Sequence, residues 1–218
     1  MLKPLVAAAL ALVAAPALAQ NITAPDAVVP PGITVEVAMV PGPALEGNLE
    51  GNATTREAMV VLPPSYATDP DRRFPVVYYL HGFAISGRDF YDYMQVPTAV
   101  AQNAAAGREF IVVVPDTLTA MGGSMYSNSV TTGNFRDFIA TDLVAHIDAT
   151  YRTIASREGR ALVGHSMGGY GTMVVAMTHP EVFNAIWAQS ACCVSARSET
   201  PQSAAAMAAV PRDGVDNA

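Results

Sequence analysis

Gly164-His165-Ser166-Met167-Gly168 sits between a short apolar run, Arg160 to Val163, and a helix-compatible segment, Gly168 to Thr178. This juncture constrains the fold more than any other stretch. A chain that leaves a strand, turns at once and enters a helix has room only for small residues around the turn, and Gly164 and Gly168 supply them. A third glycine, Gly169, lets the helix approach the sheet closely. The central serine is then carried at the apex, above the end of a sheet.

The rest of the pattern is consistent with that sheet. Pro75 to Leu80 and Phe110 to Val114 are continuous apolar runs, as expected of central strands covered on both faces in a parallel sheet. Ile33 to Val40 and Arg56 to Leu62 alternate or end in Pro63-Pro64, and fit opening antiparallel strands. Ala185 to Ser190 is a further strand. Asp89 to Ala105 can hold a helix that Pro97 kinks or divides. Phe135, Phe138, Ile139, Leu143, Ile147 and Tyr151 share one helical face, with Asn134 as the N-cap and Asp137 in the first turn. Strand and helix alternate, which predicts an α/β domain with a mostly parallel sheet and helices on both faces.

Composition narrows the class of partner. The chain of 218 residues is 51% hydrophobic and 14% charged, with a formal net charge of -7 and no cluster of Lys and Arg. That argues for one globular domain and against a nucleic-acid or anionic-membrane partner, leaving a small molecule. Residues 1–19 carry Lys3, an apolar run from Leu5 to Ala15 and Ala17-Leu18-Ala19, and read as a signal peptide, so a periplasmic or secreted location is expected. Residues 20–32 read as an extended lead-in, 33–193 as the domain and 194–218 as an irregular tail. Cys192 and Cys193 are adjacent and read as two small hydrophobes at a strand end.

Ser166 is the candidate nucleophile, because Gly-x-Ser-x-Gly at a strand-to-helix turn is the nucleophile elbow of acyl transfer and ester hydrolysis. The Met167 N–H, at the helix N-terminus, would face the oxyanion of a tetrahedral intermediate. The second donor is expected in the loop Leu80-His81-Gly82-Phe83, with the Phe83 N–H first and Ala84 as the alternative. An activated serine needs a histidine within about 3 Å. His179 lies thirteen positions after Ser166, roughly 20 Å along a helix rising about 1.5 Å per residue, and is out of reach. His165 diverges from its neighbour, His81 reads as structural, and His146 lies mid-helix. Asp116 either faces the site rim or caps its loop. The loop from Leu118 to Gly133, with Met121, Met125 and Tyr126, either lines an acyl pocket or is surface.

LPPSY (62–66), FPVVYYLHGF (74–83), VVVPD (112–116), TTGNFRDFIATDL (131–143) and GHSMGGYGTM (164–173) together resemble the putative-esterase branch of the α/β-hydrolases. This branch includes S-formylglutathione hydrolases, feruloyl-type esterases and the antigen 85 mycolyltransferases, and the likeness runs from about residue 33 to 193. The resemblance implies an α/β-hydrolase fold, Ser166 as nucleophile, Phe83 and Met167 as oxyanion amides, a small ester substrate, and no metal or organic cofactor. The family's acid and histidine follow later strands, so the chain is expected to be a truncated α/β-hydrolase lacking the last strands. Its open sheet edge is then expected to favour self-association. Alternatives are acyl transfer to a sugar or alcohol, and a non-catalytic binding domain.

Overall fold

The computed structural model describes residues 26–194. Residues 1–25, where a signal peptide and the start of the lead-in are expected, and residues 195–218 lie outside the described residues.

A six-stranded sheet organises the domain. β1 (Thr34–Pro41) and β2 (Thr55–Leu62) pair antiparallel from Thr34 with Leu62 to Pro41 with Thr55. β2 then pairs antiparallel with β4 (Ile111–Pro115), and β4 runs parallel to β3 (Val76–Leu80). A two-residue pair, β5 (Asn128–Ser129) and β6 (Gly133–Asn134), pins the loop beyond β4. β7 (Arg160–His165) continues the parallel set against β3, and β8 (Ala185–Gln189) against β7.

Alternation along the strands splits the core in two. Val76, Tyr78, Leu80, Ile111 and Val113 point to one face, Met59, Val61, Val112 and Val114 to the other. A short helix, α1 (Ser65–Thr68), follows β2. The second face is covered by α2 (Gly87–Tyr93) and α3 (Val96–Ala105), through Phe90, Tyr91, Val96 and Val100. The break between these helices falls at Gln95, which has φ 49, and Pro97 sits in the first turn of α3, where its missing N–H has no helical partner to lose. Pro97 therefore divides the segment rather than kinking it. Ser86 caps α2, its hydroxyl accepting the Asp89 N–H at 3.0 Å.

The first face is covered by α4 (Phe135–Asp137), a wide π-helical stretch at Phe138–Leu143, and α5 (Val144–Thr150), which run on from one another. Ile139, Leu143, Ile147 and Tyr151 recur every fourth residue, a spacing that drifts about 40° per turn on a 3.6-residue helix. The wide turns absorb part of that drift, and all four side chains are buried. Asn134 makes no side-chain cap, contrary to the expectation from its position. The cap comes from across the β5–β6 loop instead, where Asn128 Oδ1 accepts the Asp137 N–H at 3.2 Å. α6 (Met167–Thr178) completes this layer behind β7, burying Met167 and Val175. β8 is the outermost strand among the described residues, with Ile186 and Trp187 exposed.

Candidate active site

β7 delivers Ser166 at φ 55 and ψ -116, a conformation outside the favoured regions for a residue with a Cβ. Three hydrogen bonds hold it there. Its own N–H donates to Gln189 O at 3.0 Å, and its carbonyl accepts the N–H of Tyr170 and of Cys192, each at 3.1 Å. The end of β8 thus braces the elbow from the side, and Tyr79 orients that end by donating from its hydroxyl to Gln189 Oε1 at 2.9 Å. Close packing excludes larger residues below the turn: a Cβ on Gly164 would strike the Gly168 carbonyl, and one on Gly168 the Leu80 carbonyl.

Ser166 opens onto a cavity of about 240 Å³ whose other walls are Gly82, Phe83, Ile85, Phe90, Tyr93 and His165. Phe83 is exposed at its mouth. The Ala84 amide donates to Gly122 O at 2.7 Å and is therefore engaged, which removes it as the alternative oxyanion donor. Met167 is the first residue of α6, so its N–H has no partner within the helix, and its side chain is fully buried. Phe83 and Met167 both lean on Gly123: a Cβ there would come within 2.6 Å of Met167 Sδ and 2.8 Å of Phe83 Cδ2.

His81 is locked into the structure. Its Nε2 accepts the Thr117 N–H at 2.8 Å, so Nδ1 carries the proton and donates to Gly82 O at 2.8 Å. Burial holds its pKa below the usual histidine value. His165 lines the same cavity as Ser166, and its ring lies 6.5 Å from that of Phe90. His179 ends α6 with Nε2 3.8 Å from Asp137 Oδ1, and His146 lies on α5. Among the described residues no imidazole hydrogen-bonds the Ser166 hydroxyl.

Asp116 resolves as a cap. Its carboxylate accepts the Gly87 N–H at 3.0 Å and the Leu118 N–H at 3.3 Å, and pairs with the buried Arg56 at 2.8 Å. The loop from Leu118 to Gly133 backs the site and leaves the cavity walls to other residues. Tyr126 is fully buried and donates from its hydroxyl to His81 O at 2.9 Å, burial raising its phenol pKa, while Met121 points into solvent. Ile85, Phe90 and Tyr93 form the cavity without having stood out in the sequence, where the i, i+3 spacing of Phe90 and Tyr93 on a helix was the available signal.

Residues 52–211 match the family model described as "Putative esterase". The chain belongs to the putative-esterase family. Esterase Rv1288 of Mycobacterium tuberculosis is 35% identical over 122 residues, which are 52% of this chain and 24% of that protein. The chain therefore matches about a quarter of that relative's length. A solved ferulic acid esterase is similar at a TM-score of 0.63 and 25% identity, over 78% of this chain and 62% of that one. An S-formylglutathione hydrolase from Agrobacterium tumefaciens shares the fold, at a TM-score of 0.55 and 21% identity, over 76% and 60% of the two chains. The α/β-hydrolase architecture of this putative-esterase member rests on these likenesses together with the strand-elbow-helix order.

Proposed function

We propose that this chain is a serine carboxylesterase that takes the acyl group of an ester onto Ser166. The strained, three-way-braced Ser166 on the wall of an apolar cavity carries this reading. An ester carbonyl seated over Ser166 Oγ would place its oxygen toward the N–H groups of Phe83 and Met167. Charge developing on that oxygen would be stabilised by these two N–H groups, a contribution of about 3 to 4 kcal/mol for one such donor. Attack of Oγ on the carbonyl carbon releases the alcohol and leaves the acyl group on the serine; water then releases the acid.

Phe83, Phe90, Tyr93 and Ile85 make the acyl wall aromatic and apolar, and an aryl or hydroxycinnamoyl ester suits it better than a charged one. The ferulic acid esterase among the similar structures supports the same substrate class. The proton acceptor for Ser166 is left unassigned by the four histidines. Without one in place, family chemistry retains only the part due to binding and the oxyanion donors, about 10³–10⁴-fold over water.

Acyl transfer is best read directly. The full chain incubated with a p-nitrophenyl ester should gain one acyl mass on the tryptic peptide holding Ser166, and Ser166→Ala should not. An acyl group found elsewhere, or retained in Ser166→Ala, rejects Ser166 as the acceptor.

A further inference from the structure

Cys192 and Cys193 lie three and four residues beyond the end of β8, both as free thiols. Beyond β8 the chain turns back toward the elbow, and Cys192 N–H donates to the Ser166 carbonyl at 3.1 Å. This main-chain bond ties the cysteine segment directly to the candidate nucleophile's own residue. Cys193 follows with φ 63, a left-handed turn that folds its side chain back over its neighbour, and the two Sγ atoms lie 2.6 Å apart. No other cysteine exists in the chain, so each thiol has only the other as an intramolecular partner.

We propose that Cys192 and Cys193 are a dithiol–disulfide pair mounted on the Ser166 elbow, closed to a vicinal disulfide by a low-molecular-weight disulfide and reopened by a dithiol. The two thiols divide the work by exposure. Cys193 is exposed and Cys192 half-buried, with burial, reinforced by the Cys193 sulfur, pushing the Cys192 thiol up to about 11. Cys193, as thiolate, attacks one sulfur of the small disulfide; a mixed disulfide forms and one small thiolate leaves. Cys192 then loses its proton to solvent and attacks Cys193 Sγ. The Cys192–Cys193 bond forms and the second small thiolate departs. Two protein thiols are oxidised and one small disulfide is reduced to two thiols.

Closure turns the contact between the two sulfurs into a bond, at a residue whose main chain holds the elbow. It also ties together a segment that braces the elbow: a Cβ on Gly169 would lie 2.9 Å from Ala191 Cα, one residue before the pair. The redox step itself needs no turnover at Ser166, so it stands or falls separately from the esterase reading.

Glutathione disulfide is a sufficient probe. After incubation of the full chain and alkylation with iodoacetamide, intact mass should show the loss of two hydrogens and no alkyl groups, and dithiothreitol should restore two alkylatable thiols. Cys192→Ser should stop at the mixed disulfide with glutathione, whereas Cys193→Ser, which lacks the exposed attacking thiol, should form that adduct more slowly. A wild-type chain that keeps a glutathione adduct, or two alkylatable thiols, overturns the pair. Hydrogen exchange then tests the coupling: the peptide from Ser166 to Gly169 should exchange at different rates in the reduced and oxidised chains. Identical rates overturn the link to the elbow.

Discussion

The main-chain N–H of Thr117 donates to His81 Nε2 at 2.8 Å, while the same ring donates from Nδ1 to Gly82 O at 2.8 Å. One strand end is thereby fastened to another through a neutral imidazole, immediately before the loop that carries Phe83. A second proton on this ring would set N–H against N–H at Thr117.

Burial lowers the pKa of His81 in the folded chain, so the unfolded chain takes up that proton first as pH falls. The contribution of His81 is complete above about pH 6.5 and declines below it toward the lowered folded value, by up to about 1.4 kcal/mol per pH unit. Urea midpoints measured from pH 8 to pH 5 should fall below about pH 6.5 in the wild type and fall less in His81→Gln. A flat wild-type profile over that interval contradicts the locked neutral ring.

Asp116 serves Arg56, Gly87 and Leu118 together. Asp116→Ala strands a buried guanidinium and frees two amides, and should cost about 3 to 5 kcal/mol in chemical denaturation. Asp116→Asn keeps an acceptor for the amides and should cost less. Equal losses in the two variants would show that the charge matters and the capping does not.

Gly168→Ala should lower stability by about 3 kcal/mol, the upper end for overpacking, because the obstructing Leu80 carbonyl is main chain and cannot rotate away. A denaturation midpoint within error of the wild type would disprove the close approach of α6 to β3.

Phe83 separates side chain from amide. Phe83→Ala keeps the N–H and should weaken substrate binding while sparing the Ser166 acylation rate at saturation. Phe83→Pro removes the donor and should slow acylation by about 10²–10³. Were the two variants equally impaired at saturating ester, the amide assignment would be wrong.

Much of the fold was legible before any coordinates. The unbroken apolar runs of β3 and β4 follow from burial on both sheet faces, and the stripe from Phe135 to Tyr151 from helical periodicity. Asn134 misled because a residue of capping type stood at the right place, while the acceptor came from Asn128 on another element. The loop with Met121, Met125 and Tyr126 stayed open between pocket and surface in the sequence because position beyond a strand's carboxyl end says nothing about which side chains turn inward. Tyr126 turned into the core to reach His81 O, and the cavity wall was left to Phe90 and Tyr93 of α2.

By itself, the order of residues determined the alternation of strand and helix, the elbow and its serine, and the family, because these depend on short-range patterns of size, polarity and backbone freedom. Tertiary structure alone decided what surrounds Ser166. β4 inserts between β2 and β3, and β8 runs beside β7, so Thr117 meets His81, Gln189 meets Ser166, and Cys192 closes on the serine from 26 positions away. Such contacts are set by sheet order and strand register, which bring distant segments together without leaving a local mark in the chain.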